Sequence, residues 1–325
     1  GIYQRELSSY KEKALIRNTD IGSKTCVNCH NFAGNDPEKM MFHIRGPEGG
    51  TVILRDGKVV KTNPAASPVS GELAHGATYP ASEASGRFIA FSSNEIQQFF
   101  HADGNKAIEV SDLESDLFVY DTESGKALTS DSLVGKEWME TFPTWSGDSL
   151  IYFCRAKAYE QGMKLYDIRY DLCRVKFDPV TGSFGSPETV YAASSEGFSC
   201  SFPRVSPDGR WLMFTRSEYG NFSIWHHESE LFLMDTRDCT FRVLDEVNSR
   251  DTESYHSWSS DGKWFVFSSR RIDGNWTRPY LAAFDTRTGR CSKPFLLPQK
   301  HPDFYLRRME SFNIPELVDK EVSMK

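Results

Sequence analysis

The sequence predicts an all-β fold: a β-propeller of four-stranded blades preceded by an irregular or helical N-terminal arm. Three observations predict it. First, four segments repeat one pattern, Tyr79–Phe91, Phe142–Phe153, Phe202–Phe214 and Tyr255–Phe267. Each reads strand, Ser/Asp/Gly turn, strand, with the turn glycine at Gly86, Gly147, Gly209 or Gly262. Second, each is followed by a strand that ends in aspartate: Leu117–Asp121, Cys173–Asp178, Leu231–Asp235 and Leu281–Asp285. Gly125, Gly182 and Gly289 then turn three of these into a second hairpin. Third, the A–B and C–D hairpins recur at roughly 50–60 residues, the period of propeller blades.

The elements follow in order along the chain. Residues 1–39 stand outside the repeat as an arm, with a short helix expected over Glu6–Ile16. A smaller unit spans Met40–Thr62. Its strands are Phe42–Arg45 and Thr51–Leu54, and Arg55-Asp56-Gly57 turns into Lys58–Thr62. The four full units follow. Their B–C inserts shorten along the chain, from Asn94–Asp116 in the first to Arg271–Pro279 in the last. Two units depart from the pattern. Gly147 precedes its aspartate, and Ser82-Glu83 stands where a tryptophan and a polar residue are expected. Five blades are visible, and a sixth would draw on the tails or on upstream residues. The expected domains are therefore the arm (1–39), the propeller (40–299) and a polar tail (300–325) that helps to close the ring.

Composition excludes several classes. The chain has 325 residues, 39% hydrophobic, with mean hydropathy −0.50, and no run approaches a transmembrane helix. Net charge −7 and pI ≈ 5.7 argue against nucleic-acid binding. It opens Gly1-Ile2-Tyr3 without methionine, so nothing is read from the missing leader. Seven cysteines are few for a disulfide-stapled domain. Cys154 and Cys173 lie in successive strand-like runs, where they would either bond across strands or stay buried as free thiols.

The strongest chemical motif is Cys26-Val27-Asn28-Cys29-His30. CxxCH is the attachment pattern of c-type haem: two thiols add to the vinyl groups and the histidine becomes the proximal iron ligand. The alternatives are a Cys26–Cys29 disulfide and a chance match. A zinc site lacks the further ligands. Met40, Met41 and His43 are the nearest candidates for a distal ligand, with core filling the plainer role for the methionines.

The turn-aromatic units resemble the repeats of the TolB family of periplasmic β-propellers over about residues 77–299. Cys26–Phe32, Phe42–Gly46, Gly50–Leu54, Tyr219–His226, Tyr255–Ser259 and Leu297–Tyr305 resemble TolB-like proteins of Bacteroidetes with a CxxCH segment before the first blade. That resemblance implies an extracytoplasmic, periplasmic or outer-membrane-associated protein. It implies no settled activity.

The D–A and B–C connections of a propeller share one face, which would gather His75, His101, Trp225, His226, Tyr255, His256, Arg271 and Trp276 on one rim. Such a rim suits a ligand, a metal or a second haem contact, and polar loop histidines without a joint role are the plainer alternative. No nucleophile elbow, P-loop or dinucleotide fingerprint is present. The expected function is a binding or scaffolding module that carries one haem c, conditional on export and maturation, for electron transfer to a docked envelope partner. One alternative is a haem-free module for protein or glycan with a Cys26–Cys29 disulfide. Another is a hydrolase or lyase on the rim, resting on fold analogy.

Overall fold

The computed structural model describes residues 1–66, 73, 75–102, 108–160 and 162–324. A small hairpin, β1 (Ile2–Gln4) with β2 (Lys13–Ile16), opens the chain. The helix expected over Glu6–Ile16 is therefore absent, because its apolar end pairs as a strand; a single helical turn follows at Asn18–Ile21.

Five antiparallel blades follow among the described residues. Blade 1 is β3 (Cys26–Phe32), β4 (Met40–Arg45), β5 (Gly50–Arg55) and β6 (Lys58–Thr62). Blade 2 is β7 (Ala77–Ser82), β8 (Phe88–Phe100), β9 (Ile108–Asp121) and β10 (Lys126–Leu128). Blade 3 is β11 (Trp138–Ser146), β12 (Leu150–Lys157), β13 (Asp171–Lys176) and β14 (Glu188–Tyr191). Blade 4 is β15 (Ser199–Val205), β16 (Trp211–Ser217), β17 (Glu230–Asp235) and β18 (Thr240–Val243). Blade 5 is β19 (Glu253–Trp258), β20 (Trp264–Ser269) and β21 (Arg278–Asp285). Its outer edge is split between β22 (Arg290–Cys291) and β23 (Phe295–Leu296). The turn glycines Gly86, Gly147, Gly209 and Gly262 all take φ between +65° and +75°, which a Cβ would strain.

The boundary expected at residue 39 falls inside blade 1. Cys26–Phe32 is the first strand of that blade, paired with β4, and not part of an arm outside it.

The first strand of every blade carries a bulge at one position. The register shifts after Asn28, Thr78, Thr141, Ser201 and Ser254. The next residue in each has positive φ: Cys29 (51°), Tyr79 (36°), Phe142 (52°), Phe202 (50°) and Tyr255 (51°). A left-handed conformation costs a non-glycine residue about 1–3 kcal/mol, so five recurrences need a shared compensation. Packing supplies one. Tyr79 and Phe142 lie 4.3 Å apart by ring centroid, Phe142 and Phe202 4.0 Å, and Phe202 and Tyr255 4.6 Å. The bulges aim these rings together and plug the axis of the propeller.

Alternate residues of each strand face opposite neighbours. Tyr152 and Cys154 join the core between blades 3 and 4, whereas Phe153 and Cys173 join that between blades 2 and 3. Cys154 and Cys173 therefore sit on opposite faces of one sheet and cannot bond; the seven cysteines are free thiols. Trp145 and Trp258 each donate from Nε1 to the preceding blade, to Ala81 O (2.9 Å) and Arg204 O (3.1 Å). Blade 2 has Ser82 at that position. There Asn31 Oδ1 of blade 1 accepts from the Ser82 backbone N–H at 2.7 Å instead.

The seam between blades 5 and 1 is filled by the C-terminal segment. Ser257 donates to Pro315 O (2.7 Å), Glu316 accepts from Phe32 N (3.2 Å), and Asn35 donates to both Trp258 O and Leu317 O. Val322 packs with Ile2, Val27 and Phe42, and exchanges two hydrogen bonds with the Gln4 side chain. Arg278, fully buried, anchors the approach by donating to the carbonyls of Tyr305, Arg308 and Glu310.

Candidate functional site: the capped channel mouth and its cleft

The CxxCH residues diverge. Cys26 is exposed and pairs in register with Arg45 at the start of β3. Two intervening residues, three steps of extended chain or about 10 Å, separate it from Cys29. Cys29 occupies the bulge position and faces the axis beside Tyr79 and Tyr255, whose pKa values are raised chiefly by burial, with Cys29 a lesser contributor. His30 is turned into the seam, with Nε2 3.9 Å from Glu316 Oε1 and the ring edge-on to Phe32, and burial lowers its pKa to about 4. Met40 packs in the core facing the tail, and Met41 in the core facing blade 2. His43 follows Met41 toward Phe91. None of the three faces His30. A haem joined to both thiols would need the space of the axial rings, with an imidazole that points elsewhere. The residues do not fit a haem in this fold. The disulfide alternative is not formed either.

Instead, Cys29-His30 is the fifth copy of a repeat feature. It matches Tyr79-Pro80, Phe142-Pro143, Phe202-Pro203 and Tyr255-His256 in position and backbone conformation. One signal was available in the sequence. Cys29 precedes Phe42 by nearly the spacing that separates each axial aromatic from Phe91, Phe153, Phe214 or Phe267.

The face of the B–C connections carries a cap. Strands β8 and β9 pair from Phe88↔Asp121 out to Phe100↔Ile108, well beyond the blade. A bulge between Glu95 and Ile96 bends this hairpin over the channel mouth. There Asp112, 1% exposed, accepts from Tyr170 Oη of blade 3 (3.1 Å) and Asn221 Nδ2 of blade 4 (2.5 Å). Burial raises its pKa to about 7 against the hydrogen bonds from Asn94, Tyr170 and Asn221 that lower it. Farther out, the Tyr219 hydroxyl donates to Glu109. Beneath lies a layer of buried hydroxyls. Ser201 bonds Ser223 (2.8 Å), Ser223 bonds Ser254 (3.0 Å), and Asn94 donates to Thr141 (3.2 Å). Asp112, Tyr170 and Asn221 escape a reading of the sequence because each comes from a different blade.

The expected rim residues do not converge. His75 lies 3.5 Å from Glu95 and 3.9 Å from Glu114; these donor atoms fall within 4.8 Å of one another, a set that could hold a cation on an open edge. His101 pairs with Glu109 (2.8 Å), and His226 with Glu228 (3.0 Å) while edge-on to Tyr219. Trp225 stacks under the Arg270 guanidinium at 3.7 Å. Arg271 is bound to Glu253 and Val247 O, and the Trp276 N–H to Asp273. Two residues leave the rim altogether. Tyr255 belongs to the axial plug. His256 is buried between blades, with Nε2 2.9 Å from Met213 O, and burial lowers its pKa to about 3.

One cleft opens on the same face, beside the cap. It has a volume of 670 Å³ and lies between blades 1 and 2, with His43, Arg45, Lys61, Thr62, Thr78 and Asn94 among its walls.

No family model matches the chain, and no curated protein matches it. Among solved structures it is similar to a protein assigned as TolB from Agrobacterium tumefaciens, at 16% identity and TM-score 0.51, over 84% of this chain and 80% of that one. It is also similar to a prolyl endopeptidase structure (13%, TM-score 0.49, 85% of this chain and 37% of that one). An oligogalacturonate lyase from Vibrio parahaemolyticus gives 11% and 0.46, over 84% and 66%. At such identities the likeness is one of fold, and the fold is TolB-like. Among the described residues, no helix is long and apolar enough to cross a membrane.

Proposed function

We propose that the chain is a TolB-like binding module that works without haem, through the face carrying the B–C connections. The observation that carries this reading is the pinned cap. Asp112 and Glu109 of the blade 2 hairpin are tied to Tyr170, Asn221 and Tyr219 across the ring, and the axis beneath is plugged by aromatic rings. The axis therefore offers no passage to a ligand, and the cleft between blades 1 and 2 is an accessible feature of that face among the described residues. His101, His226 and His227 of this face each pair with a carboxylate, and this arrangement favours binding over catalysis. The resemblance to TolB-like proteins supports a module of the cell envelope, and on this reading it docks a protein or glycan there.

Photo-crosslinking in the native host tests the reading. A photoreactive side chain at Thr62, on the cleft, is expected to give discrete adducts. The same group at Val180, 91% exposed on the opposite face, is expected to give none. Equal labelling from both faces would remove the B–C face as the working surface.

A further inference from the structure

The cleft between blades 1 and 2 has a charge character opposite to that of the chain. The protein holds 45 acidic residues against 38 Lys and Arg. Yet none of the described residues lining the cleft is Asp or Glu, while Arg45 and Lys61 both line it. Arg45 is exposed at the end of β4, and Lys61 is half open on β6, with Glu48 3.9 Å from its ammonium group.

A buried donor adds a second, independent indication. The His43 ring lines the cleft and is 5% exposed. Its Nδ1 lies 3.0 Å from the Thr51 hydroxyl, and its Nε2 is buried without a hydrogen-bond partner. In the tautomer in which the Thr51 hydroxyl donates to Nδ1, the neutral ring carries its proton on Nε2 and offers a donor with nothing to receive it; in the other, Nε2 is an unpaired acceptor. Leaving such a group unpaired costs about 1–3 kcal/mol. The equivalent positions of the other blades hold Ser92, Cys154, Thr215 and Ser268, so the imidazole is peculiar to blade 1.

The backbone is shaped to leave the space open. Gly50 has φ +149°, and a Cβ there would come within 3.0 Å of Lys61 Cε and 3.3 Å of Thr62 O. Any larger residue would push into the β5–β6 wall. Gly49 and Gly76 also line the cleft without side chains. A volume of 670 Å³ suits a small molecule or the end of a larger one.

We infer that this cleft binds an anionic oxyacid group, a carboxylate or a phosphate, through Arg45 and Lys61, with His43 Nε2 as a neutral donor. The inference rests on the B–C face as the working surface and names the chemistry that surface selects. Arginine suits either anion, because its fork of N–H donors matches two oxygens at once.

The test is titration of the whole chain, labelled with ¹⁵N-histidine, with citrate and separately with inorganic phosphate at neutral pH. Saturable movement of the His43 ring signals with either anion is expected, and the tighter of the two identifies the source of the oxyanion. In the double variant Arg45→Gln, Lys61→Gln the affinity should fall by at least about tenfold, the loss of one charge-assisted hydrogen bond. Both side chains are on the surface, so this variant keeps the fold. Absence of saturable movement with either anion, or unchanged affinity in the double variant, would overturn the inference. If adducts still form at position 62 in that case, the working surface stands and the anion preference alone falls.

Discussion

Tyr170 Oη donates to Asp112 Oδ2 at 3.1 Å, and this bond joins blade 3 to the overhanging hairpin of blade 2. Its acceptor is a carboxyl group with almost no exposure, held among Asn94, Asn221 and the hydroxyl layer. The fold therefore disfavours the charged form of Asp112 while using the side chain to hold the cap.

A pH dependence follows, with a sign opposite to that of an ordinary salt-bridged carboxylate. Burial raises the Asp112 pKa from 3.8 to about 7. Between those values the folded state keeps a proton that the unfolded state has released, so stability falls as pH rises through that window and levels off above it. Each such proton is worth about 1.4 kcal/mol per pH unit at most. Glu140 and Glu316, raised by burial to about 8 and about 7, act in the same direction. Urea unfolding of Asp112→Asn should show a shallower decline from pH 4.5 to 7 than the parent. An unchanged slope would mean that Asp112 is ionised in the fold.

The axial rings should behave as core. Phe202, 3% exposed, touches Phe142 and Tyr255 at ring-centroid distances of 4.0 and 4.6 Å. Phe202→Ala is expected to destabilise by about 3–5 kcal/mol, read as a lower midpoint in denaturant. A loss below about 1 kcal/mol would show that the plug is not packed.

Arg278 should govern the seam. Replacing it with methionine leaves the carbonyls of Tyr305, Arg308 and Glu310 without their donor. The Tyr305 carbonyl is the buried one of the three, and leaving it unpaired costs about 1–3 kcal/mol, so a loss of at least about 1 kcal/mol is expected. Limited proteolysis should then cut the 299–324 segment first, whereas uniform protection of that segment would contradict the anchoring role.

The cysteines of the CxxCH motif should be dispensable for the fold and inert toward haem. Secreted by a host with c-type maturation machinery, the parent chain is expected to show no Soret band after denaturation. Cys26→Ser with Cys29→Ser should unfold within about 1 kcal/mol of it, since each change is one atom in size. A covalent band lost in the double variant would restore the haem reading.

The blades were legible because hairpins are local. The Tyr79, Phe142, Phe202 and Tyr255 segments each carry their strands and turn within a dozen residues, and the turn glycines adopt the predicted positive φ. The first strand of blade 1 was not legible. In Cys26–Phe32 the residue identities spell a cofactor motif, and its role as an inner strand depends on pairing with β4 and on the C-terminal segment beside it. His256 misled for a similar reason: its place at a strand start pointed to the rim, but the bulge at Tyr255 turns it between blades.

By itself, then, the sequence determined the repeat, its all-β character and the turns, because these depend on side chains close together along the chain. Tertiary structure alone decided which way each bulge points, that the tail fills the seam, and that Asp112 meets Tyr170 and Asn221. It also decided that His43, Arg45 and Lys61 share one cleft. Asp112, Tyr170 and Asn221 lie on three successive blades, and His43 and Arg45 of β4 meet Lys61 of β6 within the sheet of blade 1, so packing between strands and between blades is what brings these groups within reach of one another.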